Sequence, residues 1–249
     1  MNNNSVFFIL GSVRSGTTLL RDLLKKRSNL LCPEETHFFR WAEPFESTDY
    51  NYVNKTAETL VMHRKMDGVN ENEFLEILES SKDRKELTLN YMSLFRKAHN
   101  NFTGTIFDKT PQNVYGLPLI KSYFPDSKIV HIIRNPLNVI SSLKRGRGLL
   151  PQNLTGAINF WKEAILIINT MKPILGESLY ELKYEDLTNN PDIEINKLLD
   201  FLGEEKFENI NMATNVHASE DSYLSVLDNN EVEIVKAELS NLMKIYGYQ

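Results

Sequence analysis

Short unbroken apolar runs alternate along this chain with longer stretches in which apolar residues recur three and four apart. Val6 to Leu10 is the first run, closed by Gly11, and reads as a strand buried on both faces of a parallel sheet. After Gly16 the period changes. In TTLLRDLLKK the leucines at 19, 20, 23 and 24 share one helical face, and Lys25, Lys26 and Arg27 fall in the last turn, where cations complement the helix dipole. From Ser47 to about Asn101 the helical period persists in EFLEILES and LNYMSLFRKAH, which predicts a helical insertion beside the sheet.

Later runs repeat the alternation. TIFDKTP reads as a short strand ending at Asp108 and terminated by Pro111. KIVHIIRNP reads as a strand from Lys128 to Ile133 whose carboxyl end delivers Arg134. Pro136 to Leu143 is expected to be a helix with proline in its first turn, and Ala157 to Met171 a longer one carrying Trp161. SLYELKYEDL reads as a fourth strand, IEINKLLDFLG as a helix stopped by Gly203, and Glu231 to Ile245 as a last amphipathic helix. Strands alternating with helices predict an α/β fold of three layers, P-loop-like, with a central parallel sheet flanked by helices and the helical insertion over 47–101. Ligands in such sheets bind at the carboxyl ends of the strands, where Gly11, Asp108 and Arg134 all fall.

A length of 249 residues suits one domain with a sizeable core, and 41% hydrophobic with 24% charged residues is an ordinary globular composition. Net charge is −5, which excludes a global field for nucleic acid, so any bound anion needs a local basic cluster. Cys32 is the single cysteine, which rules out an intramolecular disulfide and a cysteine zinc site and fits a reducing compartment. Three asparagines, not a basic segment, precede Val6, so neither a signal peptide nor a membrane anchor is expected and the cytoplasm is the predicted location.

Candidate chemistry begins at GSVRSGTT. Gly11 and Gly16 have the spacing of a P-loop, but Thr17 stands where the lysine belongs and the positive charge sits at Arg14. Such a loop at a helix start holds an anion on backbone N–H groups, although a Gly-Ser turn with an exposed arginine has the same pattern. A second cluster, IIRNPLNVISSLKRGRG, places Arg134 at a strand end and Ser141 and Ser142 on a proline-started helix, which suits a second phosphate. The run from Lys144 to Arg147 either extends that cluster or is a solvated helix end. His131, inside an apolar strand, and Trp161, on an amphipathic helix, read as core residues.

Together these segments resemble the sulfotransferases that use 3′-phosphoadenosine 5′-phosphosulfate (PAPS). RSGTT is similar to their 5′-phosphosulfate loop, IIRNPLNVISS to their 3′-phosphate segment, and YEDL with a terminal helix ending in YGY to the closing part of many bacterial members. Within the family, RSGTTLLRDLL followed by CPEETH is similar to the amino-terminal part of the tyrosylprotein sulfotransferases, with a CGEETR segment in the second place. The resemblance implies a nucleotide site of Arg14, Ser15, Gly16, Thr17, Thr18, Arg134, Ser142 and Tyr184, with Glu35 as general base and Arg14 and Lys109 stabilising the transferring group. His37, in place of the arginine of EETR, is a second candidate base and is expected to contact the acceptor. It implies PAPS as co-substrate, no metal, and an acceptor hydroxyl or amine whose pocket the 47–101 insertion covers. His37 and Asn135-Pro136 depart from the tyrosylprotein pattern, which separates PAPS use from protein tyrosine as acceptor.

The chemistry is consistent from below. Sulfuryl transfer needs a base at the acceptor, where partial desolvation is expected to raise a carboxyl pKa, and cations at the sulfuryl and leaving oxygens. The competing reading is a P-loop kinase or nucleotide-binding protein using ATP or GTP with magnesium, for which TIFD is the nearest approach to a Walker-B strand.

Overall fold

Four parallel strands form the centre of the computed structural model, which describes residues 6–41, 43–146, 150–207 and 222–249. They are β1 (Phe8–Leu10), β4 (Asp108–Lys109), β5 (Ile129–Ile133) and β6 (Leu179–Lys183), in the order β4-β1-β5-β6. Phe8 pairs with Asp108 on one side and Ile129 on the other, and Ile129 pairs in turn with Leu179. A ribbon of β2 (Leu30–Leu31) and β3 (Thr105–Ile106) adjoins them.

The apolar runs are unbroken because both faces are covered. Phe7 and Ile9 pack with Val130, Ile132 and leucines of α1 (Thr17–Leu24) and α10 (Pro191–Leu202). Phe8 and Leu10 face the other way, into a core shared with the helical segment and α8 (Leu154–Leu175). Side chains alternate across a strand, so a run with a helix layer on each side has no polar position to spare.

The segment after Ser47 is helical as its period predicts: α2 (Thr48–Thr56), α3 (Glu58–Met66), α4 (Glu71–Ser80) and α5 (Arg84–Ala98). Ser47, Asn70 and Asp83 cap three of them by accepting backbone N–H bonds. After β3 and β4 the chain makes a short α6 (Leu117–Tyr123) and then β5. The predicted proline-started helix is α7 (Pro136–Lys144), whose Asn135 accepts from the Leu137 N–H. Gly203 stops α10 in the left-handed region at φ 75°, and a capping box of Asp228 and Glu231 opens α11 (Asn229–Ile245).

Three boundaries differ from expectation. TIFDKTP is not one strand: its first half pairs with β2 and its second with β1, and the latter runs on through Lys109. SLYELKYEDL stays extended only to Lys183, after which α9 (Tyr184–Asn189) begins with Glu185 and Asp186 in its first turn. α1 stops at Leu24, before the basic run, so its last-turn cation is Arg21, held on Glu34 by two 2.9 Å bonds.

Candidate active site

Every strand of the four-stranded sheet delivers residues to one cavity of about 520 Å³ at its carboxyl edge. Val13 and Arg14 follow β1, Pro111 and Gln112 follow β4, Arg134 follows β5 and Tyr184 follows β6. β1 lies between β4 and β5, so the crevice opens where the sheet changes direction, the usual ligand position in such sheets.

One wall is the glycine loop. Gly16 sits at φ 99°, and a Cβ there would lie 2.2 Å from the Tyr184 ring, so only glycine fits between loop and ring. No side chain caps α1 and its first turn has no acid, which leaves its N–H groups open at the cavity. Thr17 and Thr18 line it there. Arg14 Nε donates to Ser142 Oγ at 3.0 Å, joining the two phosphate-like clusters across 128 residues of sequence. Arg134 stacks on Tyr184 at 4.2 Å, and its carbonyl accepts from Trp161 Nε1 at 3.0 Å. Trp161 is therefore core, as read, but also fixes the strand end that carries Arg134. The buried Ser15 Oγ and Arg134 Nε have no hydrogen-bond partner.

Of the basic run, Lys144 is ion-paired with Glu231 and Arg145 donates to Ser225, as helix-end cations commonly do; Arg147 lies outside the described residues.

The opposite wall is built on Glu35. Lys109 Nζ donates to Glu35 Oε1 at 2.6 Å, and His37 Nε2 lies 3.4 Å from Oε2. Lys109 and His37 are buried, with side chains 2% and 6% exposed against 24% for Glu35, so the carboxylate is the part of the trio most open to the cavity. Burial acts to raise the Glu35 carboxyl, but the bonds from His37 and Lys109 prevail and hold it down at about 2. The raised value expected from desolvation is thus reversed, because the charge partners outweigh the burial. His37 Nδ1 is buried without a partner, and its backbone has φ 57°, a left-handed conformation.

The EETH segment is held by DKTPQN. Thr36 Oγ1 donates to Asp108 Oδ2 at 2.6 Å, Thr36 N to Thr110 Oγ1 at 3.0 Å, and Phe39 N to Asn113 Oδ1 at 3.1 Å. Asn113 Nδ2 also donates to Asp108 Oδ1 at 3.1 Å. Asp108, fully buried and with its carboxyl raised by burial, is a scaffold for the loop that carries Glu35. A Walker-B aspartate is placed to hold magnesium; this one is occupied by Thr36 and Asn113.

Four side chains of this wall escaped the sequence pattern. Arg40 and Trp41 stand just beyond EETH, where their proximity to the motif was the available signal. Leu60 and His63 come from α3, and His63 Nδ1 donates to the Glu35 carbonyl at 3.0 Å while its ring stacks on His37. Nothing in the periodicity of α3 distinguishes His63 from a solvated residue.

Comparison with known proteins decides among the readings of this crevice. The profile of the sulfotransferase family matches residues 7–209. The chain belongs to the sulfotransferase family. Membership disfavours the kinase alternative. Among its relatives are an uncharacterized protein of Aquifex aeolicus, 27% identical over 78% of this chain and 25% of that protein. Another is the omega-hydroxy-beta-dihydromenaquinone-9 sulfotransferase Stf3 of Mycobacterium bovis, 24% identical over 81% of this chain and 63% of its own length. The chain therefore spans less than two thirds of these relatives. The sulfotransferase domain of the Synechococcus PCC 7002 olefin synthase shares the fold, with a TM-score of 0.62 at 21% identity and coverage of 94% of both chains. Among the described residues no helix is long and apolar enough to cross a membrane.

Proposed function

We propose that this sulfotransferase-family protein transfers a sulfuryl group from PAPS to a hydroxyl or amine acceptor, with Glu35 as general base. The observation that carries the reading is the Arg14–Ser142 bond, which ties α7 to the loop whose Arg14 lines one cavity with Arg134 and Glu35. The residues fit the nucleotide: open helix N–H groups, the orphaned Ser15 Oγ and the orphaned Arg134 Nε each await an anionic oxygen. Bound PAPS supplies a sulfuryl group on a phosphate leaving oxygen. Arg14, Ser15, Gly16, Thr17 and Thr18 would cradle the 5′ end, and Arg134 and Ser142 the 3′-phosphate, with Tyr184 supporting the guanidinium from beneath.

Lys109 links charge stabilisation to base strength. With His37, its ammonium holds Glu35 far below neutrality, so a lysine drawn toward sulfuryl oxygens both neutralises them and leaves Glu35 freer to take the acceptor proton. His37, beside Glu35, presents Nε2 as a donor to that carboxylate's second oxygen and steadies it. The helical segment contributes Ala57, Thr59, Leu60 and His63 to the cavity and covers the acceptor side.

Calorimetry with 3′,5′-adenosine bisphosphate tests the reading. Binding is expected, with AMP weaker by about tenfold or more because the contacts of Arg134 to the 3′-phosphate are lost. Absent binding at millimolar ligand, or equal affinity for AMP, would sink it.

A further inference from the structure

Arg40 is the cavity cation that the nucleotide contacts leave over. It lines the same cavity as Glu35 and His63, and its guanidinium carbon lies 4.2 Å from the centre of the Trp41 ring. The electrostatic partners it has there are Glu35 and Tyr115. Yet no carboxylate or carbonyl among the described residues accepts a hydrogen bond from its guanidinium. Other partly or fully buried arginines are satisfied: Arg21 on Glu34, Arg64 on Glu71, and Arg96 on the carbonyls of Phe102 and Gly104. Glu35 is the one carboxylate among the described residues lining the cavity, and Lys109 already balances it. The acceptor side therefore carries a positive surplus on a side chain whose plane is fixed by an indole.

We propose that Arg40 receives an oxyanion carried by the acceptor, which makes the acceptor a hydroxyl compound bearing a carboxylate or phosphate group. This deepens the sulfotransferase reading and rests on it. A guanidinium stacked on Trp41 has little freedom left to lose and presents its fork of donors to a planar anion. Because Arg40 and Glu35 share one wall, an anion on the first directs a hydroxyl of the same molecule toward the second.

The probes are 4-hydroxyphenylacetate and its uncharged counterpart 4-hydroxyphenylacetamide, titrated into protein saturated with 3′,5′-adenosine bisphosphate so that the nucleotide contacts are filled. The acid is expected to bind about tenfold more tightly than the amide. Arg40→Gln should collapse that gap to within about twofold and Arg40→Lys should keep part of it, with nucleotide affinity unchanged within about twofold in both. Equal binding of the two probes at any affinity, or a gap that Arg40→Gln leaves intact, overturns the proposal. So does a loss of nucleotide affinity in Arg40→Gln matching the loss for the acid, which would move Arg40 to the nucleotide. The same pair titrated into nucleotide-free protein reads Arg40 even where adenosine bisphosphate fails to bind, so the two failures are distinguishable.

Discussion

Two glutamates of this protein stand in nearly the same company. Glu35 has Lys109 at 2.6 Å and His37 at 3.4 Å; Glu181 has Lys172 at 2.7 Å and His131 at 3.0 Å. In both, burial works to raise the carboxyl, the histidine and lysine prevail, and it is held at about 2. Their surroundings differ. Glu181 also accepts from the Tyr246 hydroxyl, whose oxygen lies 2.8 Å from the Asn169 side-chain amide, so the cluster bolts β6 and α8 to the end of α11. His131 within it is fully buried and supports the loop from below, since a Cβ on Gly11 would lie 3.4 Å from its ring. Glu35 instead opens on the cavity beside Arg40 and Arg134. Depression between a lysine and a histidine therefore does not by itself mark a reactive carboxylate, and only the space in front of it separates Glu35 from Glu181.

Exchanging each glutamate for its neutral isostere is the sharpest way to break the comparison. Glu35→Gln is expected to lower turnover of labelled PAPS by about 10²- to 10⁴-fold while nucleotide affinity stays within about twofold. If turnover survives it and is lost in His37→Asn, the base is His37. Glu181→Gln should do the opposite. Transfer continues, and thermal unfolding shows a loss of about 1–3 kcal/mol, because Lys172 and the buried His131 lose their common anion. A normal melting curve for Glu181→Gln would remove the structural half of the contrast.

Acid gives the smallest effect and tests what the two share. The ordinary value of each carboxyl is 4.5 and the folded value about 2, so their contribution to stability is complete above about 4.5 and disappears as pH falls toward 2. Denaturant melts across that window should show stability falling with falling pH, and Glu181→Gln should flatten the slope by at most about 1.4 kcal/mol per pH unit. An unchanged slope would mean that Glu181 is not held down by its partners.

Much of this was legible in the chain. The unbroken runs at Phe8–Leu10 and Ile129–Ile133 announced strands covered on both faces, because alternate side chains meet opposite helix layers. The four-helix segment followed from its period, and the glycine loop with its distant arginine was marked by spacing alone. The ribbon of Leu30–Leu31 with Thr105–Ile106 was invisible, since two-residue strands have no periodicity to show. YEDL was misassigned because its apolar and acidic residues suit either a strand end or the first turn of a helix, and the acidic pair settles on the helix amino end.

By itself the sequence determined the strands at Phe8–Leu10 and Ile129–Ile133, the helical character of the segment after Ser47, and that Gly11 and Arg134 stand at strand ends; these follow from local sterics and from side-chain period. Tertiary structure decided which of those groups meet. It placed His37 and Lys109 on Glu35 and so set a carboxyl low where burial alone would raise it, turned Asp108 from a metal-ligand candidate into a scaffold, brought His63 from α3 to the Glu35 loop, and left Arg40 on Trp41 with no hydrogen-bond acceptor among the described residues. The reason is physical: a pKa or a hydrogen bond depends on distances and on the water excluded between groups, and residues far apart in sequence acquire both only when the chain has folded.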